Sequence, residues 1–335
     1  MANVSVVIVN WNGKRFLKEC LDSVFSQTYK DFEVVFVDNG SADGSVEFVR
    51  QAYPKEKVKI VENKENLGFA GANNIGIRES GGSYVLTLNN DTKADARLLE
   101  ELVECAARHG ESVGAVAAKI LYYSEPSRIN SAGIVALKDG AGRDRAVKER
   151  DSPRWNEEEE VFGPCAGAAL YRKSALLDCA VEGEPFDSSF FAYFEDVDLA
   201  YRLRLRGWRT IYCPKAAVLH HGRGTSSKIP EFNVYYGQAN RLKIIIKDMP
   251  FSLIARFLPW ILARQALEFA YFTLFKLSFA PISARARVFS ELGALLRKRR
   301  ATQAGRRISE SEFAAPFRGS PFSTIFRERV AGGAD

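Results

Sequence analysis

Cysteine is sparse and spaced badly for metal or disulfide work. The five residues, Cys20, Cys105, Cys165, Cys179 and Cys213, are odd in number and form no CxxC or finger-type pair. That pattern argues against a disulfide framework and suits free thiols in a reducing compartment. No Gly-x-Gly-x-x-Gly follows the first apolar run, where Asn10-Trp11-Asn12-Gly13 stands instead. A dinucleotide-dependent dehydrogenase would want that glycine pattern, so this class is set aside. The opening run MANVSVVIVNWNG is short and has no basic segment before it, which speaks against a signal peptide. No internal repeat is visible.

What is present supports a sizeable core. Of the 335 residues, 46% are hydrophobic and 12% aromatic, enough for one large domain or two ordinary ones. The net charge of +6 is unevenly spread. From Arg241 onward there are 17 Lys and Arg against 7 Asp and Glu, while residues 1–240 are slightly acidic. A basic, aromatic-rich C-terminal part predicts an anionic partner, either membrane lipid or nucleic acid.

Residues 4–9 (VSVVIV) and 33–37 (EVVFV) are apolar runs without polar alternation, the signature of parallel strands covered on both faces. Further strands are expected at 58–61, 84–88 and 113–118. Helical spacing predicts helices over 14–26, 69–79 and 95–108, and another that carries Val46, Phe48 and Val49. Alternating strands and helices give a three-layer α/β/α arrangement on a mainly parallel sheet. Ligands of such sheets bind beyond the C-terminal strand ends. Polar clusters stand there: Asn10-Trp11-Asn12, Asp38-Asn39-Gly40 and Asn89-Asn90-Asp91. Residues 124–160 are polar and charged and predict a loop or insertion at the edge of the site.

Five constellations could carry chemistry, most with a plainer explanation. Asp38 at a strand end could accept from a nucleobase or ribose, and equally could cap a turn. Asp91 could hold a hard divalent cation through oxygen, and equally could belong to a turn. Glu195, Asp196 and Asp198 lie beside four aromatics, Phe190, Phe191, Tyr193 and Phe194. A carboxyl in an apolar wall can act as a base, whereas helix-dipole stabilisation explains Asp198 but not the aromatic run. His220 and His221 are adjacent at a strand end, where successive side chains take opposite faces. Arg202, Arg204 and Arg206 could meet phosphate, but a solvated helix face explains most of them.

In order along the chain, VSVVIVNWNG, CLDSVFSQTYKDFEVVFVDNGSADGS, ENLGFAGANNIGI and YVLTLNNDT resemble glycosyltransferase family 2, which has the GT-A fold. GPCAGAALYRKSAL, FDSSFFAYFEDVDLAYRLRLRGW and the HHG segment resemble its bacterial rhamnosyltransferase-like branch. The resemblance covers roughly residues 3–225. It implies a nucleotide-sugar pocket with Asn10, Asp38, Asn39, Gly71, Asn89 and Asn90. Asn89-Asn90-Asp91 takes the place of the family's DxD motif, with Asn at its first position. Asp91 and His220 are the implied ligands of a divalent cation, Mn²⁺ or Mg²⁺, with a one-residue offset to His221 left open. Asp196, beside Glu195, is the implied catalytic base. The expected activity is inverting transfer of a sugar, L-rhamnose from dTDP-rhamnose by branch resemblance, to a hydroxyl of a cell-envelope glycan or lipid-linked acceptor. Two alternatives stand beside it: a nucleotidyltransferase on the same sheet, and a non-catalytic sugar- or lipid-binding relative.

These readings predict a catalytic domain over 1–240, with a nucleotide-binding half at 1–120 and an acceptor half at 121–240. An amphipathic helical extension is expected over 241–300 and a weakly ordered basic tail over 301–335. Within 251–281, Arg256, Arg264, Glu268 and Lys276 interrupt the apolar run every four or eight residues. A span needs ~20 mostly apolar residues, and each central charge costs roughly 2.5–3.5 kcal/mol. A membrane-associating interfacial helix is therefore expected, with residues 251–300 on the membrane surface. Aromatics and basic residues do not alternate there, so no nucleic acid partner is expected. The implied location is cytoplasmic, peripheral on the inner face of the membrane.

Overall fold

A computed structural model describes residues 2–222 and 230–318. The strands are β1 (Val4–Asn10), β2 (Phe32–Asp38), β3 (Val58–Glu62), β4 (Tyr84–Asn89), β5 (Thr92–Ala94) and β6 (Val113–Tyr122). They continue as β7 (Ile129–Ser131), β8 (Ile134–Ala136), β9 (Gly142–Asp144), β10 (Glu159–Val161), β11 (Ala168–Arg172) and β12 (Arg209–His220). The helices of the first two thirds are α1 (Lys14–Phe25), α2 (Ser45–Ala52), α3 (Gly68–Glu79), α4 (Leu98–His109), α5 (Lys173–Asp178) and α6 (Glu195–Leu205). Five more follow: α7 (Pro230–Lys247), α8 (Phe251–Ala270), α9 (Ala280–Ser290), α10 (Leu292–Ala304) and α11 (Glu310–Ala314).

The main sheet runs β10-β12-β6-β11-β4-β1-β2-β3, with β5 paired to β12 and β7 to β6. β1, β2, β3 and β4 are mutually parallel, and β6 is parallel to β12. β11 is antiparallel to both β4 and β6, so it joins two parallel groups that point the same way. Alternate residues of β1 divide the core. Val4, Val6 and Ile8 pack with Leu17, Leu21 and Leu102 on one face, whereas Val7 packs with Ala70, Ile77 and Leu176 on the other. Fully covered β-branched strands explain why no polar alternation was visible. In-register pairing of β1 with β2 then brings Asn10 opposite Asp38 at the strand ends.

Three sequence expectations change. The helix expected over 95–108 begins at Leu98, because residues 92–94 pair with β12 as β5. Asn89-Asn90-Asp91 therefore sits between two strands. Arg202 is buried rather than solvated, with Nε 2.9 Å from Asp198 Oδ2 and Nη2 donating to Pro185 O at 2.7 Å. Residues 301–318, expected to be weakly ordered, contain the end of α10 and α11, which a Ser309–Glu312 capping box starts. Phe313 and Phe317 of this segment are buried against Phe162 and Tyr201. Residues 319–335 lie outside the described residues.

α7 and α10 are joined to α6 and the turn that precedes it through a buried charge cluster. Lys247 Nζ is 2.7 Å from Asp187 Oδ2 and also contacts Asp198 Oδ1, all three side chains being buried. Lys298 adds a contact of 2.7 Å to Asp187 Oδ1. Burial alone would raise the Asp187 pKa, but the two lysines outweigh it and hold the carboxyl well below its usual range. Truncating one partner of such a cluster strands the others without water. Lys247→Ala is expected to lose about 3–5 kcal/mol of stability, read by urea unfolding. A loss near zero would show that the cluster does not bind the C-terminal helices to the domain.

α8 inverts the polarity expected of it. Its buried face carries Leu253, Phe257, Ile261 and Arg264. Arg264 bonds Glu268, and Glu268 bonds Arg241 of α7. Two of the charges that interrupt the apolar run therefore face the protein. Leu258, Leu262 and Leu267 face outward instead. Among the described residues no helix is long and apolar enough to cross a membrane.

Candidate active site

Two strand ends and one turn build the first part of the site. Asn10 and Asp38 end neighbouring strands, and Asn10 Nδ2 donates to Asp38 Oδ1 at 3.0 Å and to Ser41 Oγ at 3.1 Å. Asn90 Nδ2 donates to Asn10 Oδ1 at 2.7 Å. Gly13 makes room for this contact: a Cβ there would stand 2.1 Å from Asn90 Nδ2. Asn39 points elsewhere. Its amide nitrogen donates to Asn66 Oδ1 at 2.8 Å, and its oxygen accepts from Leu67 N at 3.0 Å. It thus shapes the loop that leads into α3. Gly71 lies within α3, where a Cβ would meet Leu67 Cβ at 3.1 Å and Ser188 Oγ at 3.8 Å. Its neighbours belong to that loop and the 188–190 turn, not to the Asn10–Asp38 pair.

The second part is the junction of β4, β5 and β12. Asp91 is buried, and its Oδ1 is 3.1 Å from His220 Nε2. Asn89 Nδ2 is 3.3 Å from the same nitrogen. His220 Nδ1 is 2.9 Å from Asn130 Oδ1, which fixes the ring from behind. Nε2 and the Asp91 carboxylate therefore converge on one spot, and either an imidazolium proton or a metal cation reconciles them. Burial opposes ionisation of Asp91, but the hydrogen bond and charge of His220 outweigh it and lower its pKa. A carboxylate oxygen and an imidazole nitrogen whose ring is held by Asn130 fit a divalent cation. His221 turns away. It stacks on Tyr123 with ring centroids 3.7 Å apart, and its Nε2 is 3.4 Å from Glu19.

The third part is the acidic start of α6. Phe191, Tyr193 and Phe194 have φ of +59°, +66° and +68°, a conformation side chains rarely adopt. Asn240 of α7 holds this bend by donating to the carbonyls of Phe190, Ala192 and Tyr193 at 2.8, 2.9 and 2.7 Å. Gly68, at φ +74°, brings α3 against the same bend, where a Cβ would lie 2.4 Å from Phe191 O. The bend presents Glu195 and Asp196 to a cavity of ≈ 1020 Å³ that Asn89, Asp144, Cys165 and Tyr193 also line. Asp196 accepts from Ala166 N at 3.2 Å and Val197 N at 2.8 Å. Burial, then the neighbouring Asp144 carboxylate, push its pKa up to about 7. Glu195 is raised well above the usual range by burial and by Asp196, and its Oε2 has no hydrogen-bond partner among the described residues.

Asn89 joins the parts, since it touches His220 and lines the cavity. Sequence reasoning missed Asp144, Asn130 and Asn240. Asp144 and Asn130 lie on the 124–160 excursion, which forms β7, β8, β9 and β10 and walls the cavity. A bonded amide in the middle of a helix, such as Asn240, gives no local signal.

A mainly parallel sheet in which the reversed strand β11 joins two parallel groups, a metal-type turn beside a strand end and an acidic helix start define the GT-A class of nucleotide-sugar transferases. The sequence matches the family described as Glycosyl transferase family 2 over residues 5–179, and the chain belongs to that family. It is a glycosyltransferase that uses nucleotide sugars. N-acetylglucosaminyl-diphospho-decaprenol L-rhamnosyltransferase of Mycobacterium tuberculosis is 29% identical over 246 residues, 67% of this chain and 78% of that protein. The protein y4gI of Sinorhizobium fredii is 28% identical over 226 residues, 65% of this chain but 24% of y4gI. Two solved structures share the fold. The mannosyltransferase PcManGT from Pyrobaculum calidifontis, in complex with GDP-Man and Mn²⁺, has a TM-score of 0.51 at 18% identity, covering 100% of this chain and 81% of that one. GalNAc-T7 with UDP, GalNAc and Mn²⁺ has a TM-score of 0.65 at 13% identity, covering 98% and 58%.

Proposed function

We propose that this glycosyltransferase is inverting and moves L-rhamnose from dTDP-rhamnose to a hydroxyl of a lipid-linked cell-envelope glycan. The observation that carries the inverting step is the Asp196 carboxyl, raised to about 7 on the wall of a cavity large enough for an acceptor. Asn10 and Asp38 hold the nucleoside, with Asn39 and Gly71 shaping the adjoining loop. Asp91 and His220 would hold Mn²⁺ or Mg²⁺, and a cation there would supply neutralisation of the diphosphate charge. Asn89 and Asn90 set the turn between these groups. Asp196 accepts the proton of the attacking hydroxyl. Glu195, buried and protonated, keeps a second negative charge from accumulating beside it.

The donor rests on similarity to the mycobacterial rhamnosyltransferase. A thermal-shift panel of nucleotide sugars with and without Mn²⁺ tests it. dTDP-rhamnose is expected to stabilise most, and only with metal. Selective stabilisation by a UDP- or GDP-sugar would replace the donor.

The raised Asp196 pKa sets a pH dependence. The base must be ionised to accept a proton, so kcat/KM rises with pH up to about 7 and levels off above it. A profile flat from pH 5 to 8 would contradict this assignment.

A lipid-linked acceptor asks for a membrane surface. Residues 251–300 meet the inner face of the membrane in this reading, which keeps the enzyme peripheral and cytoplasmic. Phe275, Leu277 and Phe279 are 78%, 79% and 74% exposed, around an exposed Lys276. Bulky apolar groups beside cations suit an anionic lipid interface. The Glu231–Ser278 bond and the Tyr193–Asn233 bond link this apex, through the start of α7, to the cavity wall. Phe275→Asp with Leu277→Asp is expected to weaken sedimentation with phosphatidylglycerol vesicles at least about tenfold. Unchanged sedimentation would reject this surface.

A further inference from the structure

Two cysteines distant in sequence meet in the first half of β12. Cys105 is in the second half of α4 and Cys213 in β12. Glu158 stands just ahead of β10. The two sulfurs and one Glu158 carboxylate oxygen all lie within 4.8 Å of one another. Both cysteines are buried, and Glu158 is partly covered. His109 is four residues after Cys105, so both side chains share one face of α4. Its Nε2 is 2.8 Å from Glu158 Oε2.

We propose that Cys105, Cys213 and Glu158 bind a structural zinc ion, with His109 as the fourth ligand. Two thiolates, an imidazole and a carboxylate match the borderline-soft preference of Zn²⁺ and its tetrahedral geometry. The three donors already lie close together, and a small further approach brings them to the separations of roughly 3.5 Å found between ligands of one tetrahedral ion. His109 completes the set by a side-chain rotation, since it already touches Glu158. Binding releases the two thiol protons to solvent, leaving two thiolates on the metal. Three anionic ligands on a divalent ion leave one negative charge, and Arg108 Nη2 stands 2.5 Å from Glu158 Oε1 to balance it.

The site differs from the Asp91–His220 pair in chemistry and place. His220 is at the C-terminal end of β12, whereas Cys213 is seven residues earlier. It has a mechanical consequence. Zinc there would fasten α4 and β12 to the 124–160 excursion, the segment that carries Asp144 to the cavity. Its role is to hold that wall, and no chemical step passes through it.

Cobalt substitution tests the proposal without relying on turnover. The reduced full-length protein, loaded with Co²⁺, is expected to show thiolate-to-cobalt charge-transfer absorption in the near ultraviolet. Asp91→Ala keeps this band, whereas Cys105→Ser and Cys213→Ser lose it and Glu158→Gln weakens it. Zn²⁺ added to the wild-type protein is expected to abolish the band by displacement, and if the cysteine variants do not fold, the partly exposed Glu158→Gln variant still locates the site, an unchanged band there overturning it. Stripping zinc with a thiol-selective chelator is expected to lower the midpoint of thermal unfolding by roughly 5 °C. No band in the reduced wild-type protein, or a band that survives both serine substitutions, overturns the site. Either result leaves the glycosyltransferase reading intact, because Asp91 and His220 are not involved.

Discussion

Asp196→Asn is expected to lower kcat about 1,000-fold, within the range that a positioned general base supplies, while donor binding persists. The substitution keeps the shape of the side chain and one acceptor for Ala166 N or Val197 N, so the start of α6 is preserved. It removes the group that can take a proton. Single-turnover transfer, followed by release of the nucleoside diphosphate, measures the loss. Donor-induced thermal stabilisation in the same variant measures what is retained. Glu195→Gln provides the contrast. The Glu195 carboxyl is already held protonated by burial, so a neutral amide replaces a neutral acid. Its expected cost is much smaller. Wild-type turnover by Asp196→Asn would remove the base from the account.

Asp91→Ala is expected to weaken Mn²⁺-dependent binding of dTDP by roughly 100-fold, since much of the diphosphate affinity depends on charge neutralisation at that spot. His220→Ala should weaken it in the same direction. His221→Ala should not, because that ring stacks on Tyr123 and faces Glu19. In the proposed reading the nucleoside part of the ligand meets Asn10 and Asp38, so thymidine alone should bind the Asp91 variant as it binds the wild type. Titration calorimetry with dTDP and with thymidine, each with and without Mn²⁺, separates these contributions. Unchanged dTDP affinity in Asp91→Ala with metal present would contradict the ligand role.

Much of the scaffold was legible because its signals are local. β1 and β2 carry the apolar, valine-rich runs Val6-Val7-Ile8-Val9 and Val34-Val35-Phe36-Val37, and such runs have few homes other than a doubly covered sheet. Their parallel pairing then fixes Asn10 opposite Asp38 without further information. β5 was missed because three residues, Thr92–Ala94, carry no periodicity. They become a strand only through pairing with β12. Arg202 looked like part of a solvated helix face, since nothing local reveals that Asp198, Cys179 O and Pro185 O wait for its guanidinium.

The site was legible where its residues cluster in sequence. Asn89-Asn90-Asp91, Glu195-Asp196 and His220-His221 announced themselves. The choice between the two histidines did not. It depends on Asn130, ninety residues away, which turns His220 toward Asp91. Asp144 was unreadable for a similar reason. Its effect on Asp196 arises from the way β9 folds back beside the cavity. The direction of α8 was misjudged because charge spacing reveals a face but not what covers it. Arg264 and Glu268 find Arg241 and the domain, and leave leucines outside.

The most direct test of the central claim is the product itself. The enzyme is incubated with dTDP-rhamnose, Mn²⁺ and a lipid-linked glycan acceptor, and the new linkage is examined by proton NMR. Release of dTDP with a glycosidic bond of anomeric configuration opposite to the donor's is the predicted result. Retained configuration would contradict a single displacement at the anomeric carbon with Asp196 as base. Formation of a nucleotide sugar with release of diphosphate, when a nucleoside triphosphate and a sugar phosphate are supplied instead, would contradict glycosyl transfer altogether.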